Sequence, residues 1–166
     1  MYAFFIRIIF ISLFINRSLF ADSHILEQEN FEAWQFTCVS EQNQKICDLR
    51  EFVFDSNTNE VVSYLSVTIN PEKLTQMQIA FPHAVNLKIP VKLQVDDNNP
   101  IDLNYAYCNQ SACFVAEIIG DNFVNFFKSG NQISIKVLFL DNREATITYS
   151  LSCFTAGYIY LSGSSF

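Results

Sequence analysis

The chain has 166 residues, half of them hydrophobic and only 16% charged, with a formal net charge of −7. That length and apolar content suit one domain with a two-layer core. The acidic balance excludes the basic footprint that nucleic acid requires and disfavours electrostatic attachment to an anionic membrane surface.

The N-terminus, "MYAFFIRIIFISLFINRSLFA", carries Arg7, the apolar run Ile8–Ile15 and then Ala21 before the polar "DSHILEQEN". A short positive region, an apolar stretch and a closing small residue predict a secretory signal peptide over residues 1–21. The run falls short of the about 20 apolar residues a membrane span wants, so a retained anchor is the alternative. Cleavage would remove Arg7 and Arg17 and no acidic residue, taking the net charge from −7 to −9.

Residues 22–30 are polar and acidic and are expected to be a flexible lead into a domain over residues 31–162. In "FEAWQFTC" Trp34, Phe36 and Cys38 share one face, as in a half-buried strand, and "KICDLREFVF" follows as the next. Val61–Ile69 is β-branched and aromatic throughout and predicts a core strand, ended by Asn70-Pro71. "MQIAF", "AVNLKI" and "VKLQV" are further short strands punctuated by Pro82 and Pro90, and Asp96–Pro100 is a turn cluster. "NYAYCNQSACFVAEI" gives two short strands joined at a cysteine loop. In "DNFVNFFKSG" Phe123, Val124, Phe126 and Phe127 fall on one helical face, with Asp121 placed to cap and Gly130 to close. A hairpin then pairs Ile133, Ile135, Val137 and Phe139 with Ala145, Ile147, Tyr149 and Leu151 across "DNRE". "FTAGYIYL" is either a short helix or irregular. Many short strands with turns between them predict an all-β, immunoglobulin-like antiparallel β-sandwich with one or two short helices.

Five cysteines punctuate this pattern: Cys38, Cys47, Cys108, Cys113 and Cys153. An exported chain keeps paired cysteines as disulfides. Connectivity is not fixed by sequence, because fifteen arrangements leave one cysteine free. Locality favours Cys38–Cys47 and Cys108–Cys113, each closing a short loop between strands. Spacings of nine and five with two histidines are poor for zinc, and no CxxC beside a βαβ unit supports redox work. Cys153 lies among apolar and aromatic residues and is expected to be a buried, inert free thiol; an exposed thiol bridging to a second chain is the alternative.

Candidate chemistry is sparse. A nucleophile needs a base beside it, and the histidines are His24, near the start of the mature chain, and His83, after Pro82. Glu117 is the one carboxylate inside an apolar strand and is expected to face solvent. "DDNNPID" lacks the ligand spacing of a calcium loop, and Asn109-Gln110-Ser111 matches a glycosylation acceptor inside the tight cysteine loop. No catalytic residues, metal or cofactor are expected.

The order of these features resembles the invasion-associated locus B family (IalB-like) of exported alphaproteobacterial proteins, from about Phe31 to Leu161. The resemblance is carried by Phe31-x-x-Trp34-x-Phe36-x-Cys38, Cys47-x-Leu49 and Phe81-Pro82-His83-Ala84-Val85-x-Leu87. It continues through Leu93-x-Val95-Asp96, Cys108-x4-Cys113-x2-Ala116 and Phe127-Lys128-x-Gly130. It closes on Ser150-Leu151-x-Cys153-Phe154-x-x-Gly157-Tyr158-x-x-Leu161, similar to the family's "SLxGF" ending. This chain departs at His83-Ala84, at Ser111-Ala112 and at Cys153, where the family pattern has glycine. The resemblance implies an immunoglobulin-like sandwich, export to the periplasm or cell envelope, two local disulfides and a link to host-cell invasion. It implies no catalytic residues. The expected function is a non-enzymatic exported protein that binds an unknown protein partner in the envelope or on the host cell. The alternative is periplasmic envelope maintenance or chaperone-like work that affects invasion indirectly. Membrane contact is expected only through the signal peptide before cleavage.

Overall fold

A computed structural model describes residues 24–41 and 44–164 of the chain. The expected signal peptide lies outside the described residues. Within them, strands β1 (His24–Phe31), β2 (Trp34–Glu41), β3 (Gln44–Phe54), β4 (Val61–Ile69) and β5 (Thr75–Phe81) run as an antiparallel meander. β6 (Val91–Val95) and β7 (Ile101–Leu103) belong to a second sheet. β8 (Tyr107–Cys108) and β9 (Cys113–Ile119) return to the first, followed by helix α1 (Asp121–Ser129). The hairpin β10 (Gln132–Leu138) and β11 (Glu144–Ser150) completes the second sheet, and helix α2 (Phe154–Ser164) ends the chain. The two antiparallel sheets have the orders β1-β2-β3-β4-β5-β9-β8 and β11-β10-β6-β7, and form a β-sandwich with two short helices.

Period-2 alternation decides what faces inward. On β2 Trp34, Phe36 and Cys38 are fully buried, and the same face takes Leu49 from β3, Leu65 and Val67 from β4, and Met77 and Ile79 from β5. The short sheet answers with Val91, Leu93, Val95, Ile133, Ile135, Val137 and Tyr149. It is narrower than its partner, and α2 covers the remaining inner face by packing on β1 to β4. Gly157 allows this approach, because a Cβ there would lie 2.7 Å from Leu49 Cδ1. Phe154 then stacks edge-on against Trp34 and Phe127, tying both helices to the core.

Side-chain hydrogen bonds lock the sheets together at one place. Trp34 and Glu51 are opposite one another on β2 and β3. Trp34 Nε1 donates to the carbonyl of Ser150 at 2.7 Å, and the Ser150 amide donates to Glu51 Oε1 at 3.0 Å. The peptide of an edge-strand residue is thus held on both of its polar groups by side chains of the opposite sheet. One residue earlier, Tyr149 donates its hydroxyl proton to Ser63 Oγ, which itself donates to the Ala80 carbonyl.

Both cysteine pairs sit directly opposite across antiparallel strands. Cys38 faces Cys47 on β2–β3 and Cys108 faces Cys113 on β8–β9, with Cα atoms 4.0 Å apart in each disulfide. The first bridge is buried against the core, and the second joins the two-residue strand β8 to its neighbour.

Several sequence expectations are corrected. The segment 22–30, expected to be flexible, contributes strand β1 from His24 onward, paired with β2 along its length. Its side chains are mostly exposed, so backbone pairing at a sheet edge, not apolar burial, makes it a strand. "FEAWQFTC" is not one strand, because Glu32 takes φ 53° and turns the chain between Phe31 and Trp34. "AVNLKI" is a turn region whose Val85 makes one bridge to Phe139. Helix α1 is capped by Gly120, with Asp121 inside its first turn and no side-chain cap. Gly130 closes it for a steric reason, since a Cβ there would lie 2.5 Å from Val95 Cγ1.

Each bridge closes a short loop of the unfolded chain. Replacing Cys38 and Cys47, or Cys108 and Cys113, by serine should lower the unfolding free energy by about 2–3 kcal/mol per pair. The urea midpoint reads this, and a midpoint that stays put would mean the bridge does not constrain the unfolded chain.

Candidate functional site

The groups singled out in the sequence do not converge. His83 Nε2 lies 2.8 Å from the Asn109 carbonyl, a contact between two exposed loops. Glu117 shares inward parity with Val115 but is exposed at the far end of β9. Among the described residues no three His, Cys, Asp or Glu side chains gather as a metal cluster.

Cys153 is free and exposed, against the expectation of a buried thiol. It stands between Leu151 and Phe154, both buried, but at φ 59° its side chain is turned away from the core. Partial desolvation, a hydrogen bond with Glu32 and that carboxylate's charge all raise its pKa, so the thiol stays protonated and is a poor nucleophile. The left-handed conformation also explains the glycine in the family pattern at this position.

Glu51 is the buried carboxylate that the sequence did not single out. It is 7% exposed, and Oε2 is buried without a hydrogen-bond partner. Burial pushes its carboxyl up to about 7, opposed by the Ser150 amide. It takes part in the grip on Ser150, and its charge is felt by the phenol of Tyr149, itself raised by burial.

What the fold does assemble is the outer face of the seven-stranded sheet. Strand register places its side chains in rows. One row runs Phe52, Tyr64, Ala80, Phe114 and Tyr107 across five strands. The next runs Gln35, Arg50, Ser66, Gln78 and Ala116, and a third Thr37, Asp48, Thr68, Gln76 and Ile118. Aromatic contacts link the first row: Tyr107 stacks on Phe114 at 4.9 Å, Phe114 meets Tyr64 at 6.4 Å, and Tyr64 meets Phe52 at 6.0 Å. The Arg50 guanidinium lies 4.6 Å from the Tyr64 ring centroid and 5.6 Å from that of Phe52, while forming an ion pair with Asp48. Gln78 Nε2 donates to the Tyr107 hydroxyl at 2.7 Å. Burial raises the Asp48 carboxyl above the usual carboxylate range, with Arg50 opposing. Beside these rings a shallow depression of about 390 Å³ runs over Thr37, Asp48, Arg50, Ser66 and Thr68.

In a chain of net charge −7, these rows carry one cation and one anion, and the two neutralise each other. The arrangement can stack on apolar surface and hydrogen-bond to polar groups. None of Arg50, Phe52, Tyr64, Gln78, Tyr107 or Phe114 stood out in the sequence. Outward rings at alternate strand positions were the available signal, and only the register aligns them.

A family model described as invasion associated locus B (IalB) protein matches residues 34–161. The chain belongs to the IalB family. Invasion protein B of Bartonella bacilliformis is 26% identical over 121 residues, which cover 72% of this chain and 64% of that protein. The match therefore spans slightly less than two thirds of the curated relative. The crystal structure of invasion associated protein B from Bartonella henselae shares the fold with a TM-score of 0.73 at 20% identity, covering 82% of this chain and 95% of that one.

Two outcomes are expected here. Glu51 binds its proton more tightly in the folded chain than at the ordinary value of 4.5, so its contribution to stability is largest in acid and is lost as pH rises through about 7. Thermal melts between about pH 5 and pH 8 should show this decline, and Glu51→Gln, which keeps an oxygen for Ser150, should flatten it. Cys153→Gly should raise the melting temperature by about 2–4 °C by relieving the left-handed backbone; a drop would mean the thiol makes a stabilising contact.

Proposed function

We propose that this IalB-family chain is an exported, non-enzymatic protein that acts by binding a protein partner in connection with host-cell invasion. The observation that carries this reading is the outer sheet face, where linked aromatic rings and a self-neutralised Arg50–Asp48 pair lie on a sheet whose strands β2 to β5 and β9 are paired on both sides. Aromatic and arginine side chains are the groups on which binding energy concentrates at protein interfaces. The two disulfides and the signal-like N-terminus support passage to an oxidising compartment. The raised pKa of Cys153 and the separation of His83, Glu117 and Cys153 argue against hydrolytic or thiol chemistry at those groups.

The test has two arms. Protease applied to intact bacteria should digest a surface-exposed protein and spare a periplasmic one. The protein lacking residues 1–21 should bind isolated host membranes above the level seen with bacterial envelope extract, and Thr37→Arg, which fills the outer face, should reduce that binding at least about tenfold. Protection from protease together with binding to envelope components alone would favour the periplasmic maintenance role and contradict the host-facing one.

A further inference from the structure

We propose that the outer face of the seven-stranded sheet is a glycan-binding platform, taking an uncharged oligosaccharide carried by a glycoprotein of the host-cell surface. This rests on the reading that the same face contacts the partner, and it names the part of the partner that is contacted.

The face lacks what other classes of ligand need. Strands β2 to β5 are hydrogen-bonded on both sides, so an extended peptide finds no free backbone groups there, and strand addition needs an edge. An amphipathic helix needs a continuous apolar groove, whereas in the depression polar side chains such as Gln35, Thr37 and Gln78 outnumber the apolar Ile25, Val39, Ile46 and Phe52. A polyanion meets a chain of net charge −7 and a guanidinium already paired with Asp48. The complementary ligand is therefore neutral, presents apolar patches at ring spacing, and carries many groups that both donate and accept hydrogen bonds.

An oligosaccharide has that chemistry. The axial C–H bonds of a pyranose form a weakly positive apolar face, which stacks on the negative face of an aromatic ring. Tyr107, 47% exposed, offers such a ring, with Phe54 at the other end of the aromatic row 52% exposed and 6.3 Å from Phe52. Sugar hydroxyls each donate and accept, and they pair well with amides, hydroxyls and a guanidinium–carboxylate pair. That last pair is incompletely satisfied. Arg50 Nε is buried with no hydrogen-bond partner, and Asp48 Oδ2 has none beyond its ion pair with Arg50. Both side chains border the depression and keep part of their surface open, 34% for Arg50 and 17% for Asp48, which an entering hydroxyl can contact. Ser66, only 3% exposed, keeps the middle of this row low, so a ligand can settle between the rings and the amides.

The experiment uses the protein lacking residues 1–21, with an N-acetyllactosamine tetrasaccharide as the neutral probe and its sialylated and sulfated forms as anionic controls. Binding is read by NMR titration and by retention on host membranes before and after enzymatic release of their glycans. The proposal expects saturable shifts confined to outer-face residues and weaker binding of the anionic forms. Tyr107→Ala and Gln78→Ala should each lose about tenfold in affinity, and deglycosylated membranes should lose retention. Retention that survives deglycosylation, with no shifts from the probe, would overturn the glycan while leaving the face as a protein contact. Retention unaffected by Thr37→Arg would overturn the face itself. Preference for the anionic forms, or shifts elsewhere on the fold, would also contradict the proposal. The wild-type shift map needs no variant to fold.

Discussion

The structure depends on the grip that Trp34 and Glu51 hold on the peptide of Ser150. An edge strand normally leaves its outward amides and carbonyls to water. Here the last outward pair of β11 is satisfied by two buried side chains from the opposite sheet. The grip fixes the distance and rotation of the short sheet on the large one. It also accounts for a buried carboxylate: an acceptor is needed for the Ser150 amide, and a protonated or amide-like group satisfies it at the least desolvation cost.

Because the short sheet and α2 together occupy the inner face of β2 to β5, the opposite face is defined by exclusion. Strands β2 to β5 and β9 are each paired on both sides, and the outer face is made by their outward side chains. In this chain they are aromatic and amide-bearing with one internal ion pair. The disulfides serve the same division. Cys38–Cys47 holds β2 to β3 beneath the outer rows, and Cys108–Cys113 keeps the two-residue β8 in place so that Tyr107 stacks on Phe114. A strand of two residues would otherwise fray, and the exposed ring would be lost.

Much of this architecture was legible in the sequence. The regular alternation of β10 and β11, the cysteine-flanked strands and the aromatic face of α1 all follow from periodicity. What escaped did so for physical reasons. β1 buries almost nothing, so composition marks it as loop although its backbone is paired. The turn at Glu32 hides because a glutamate adopts the left-handed conformation usually given to glycine or asparagine. Cys153 lies close in sequence to buried Leu151 and Phe154, and its left-handed backbone angle turns it outward. The outer-face rows draw on five strands far apart in sequence, and a one-residue change of register would send each ring to the other side.

Native-state hydrogen exchange at the Ser150 amide tests the grip most directly. By strand alternation the amides of Thr146 and Thr148 face the same way off the β11 edge, without the Glu51 acceptor. The account predicts that Ser150 exchanges only through global unfolding while Thr148 exchanges orders of magnitude faster. Equal, rapid exchange at both positions would show that the two sheets are not held in this way.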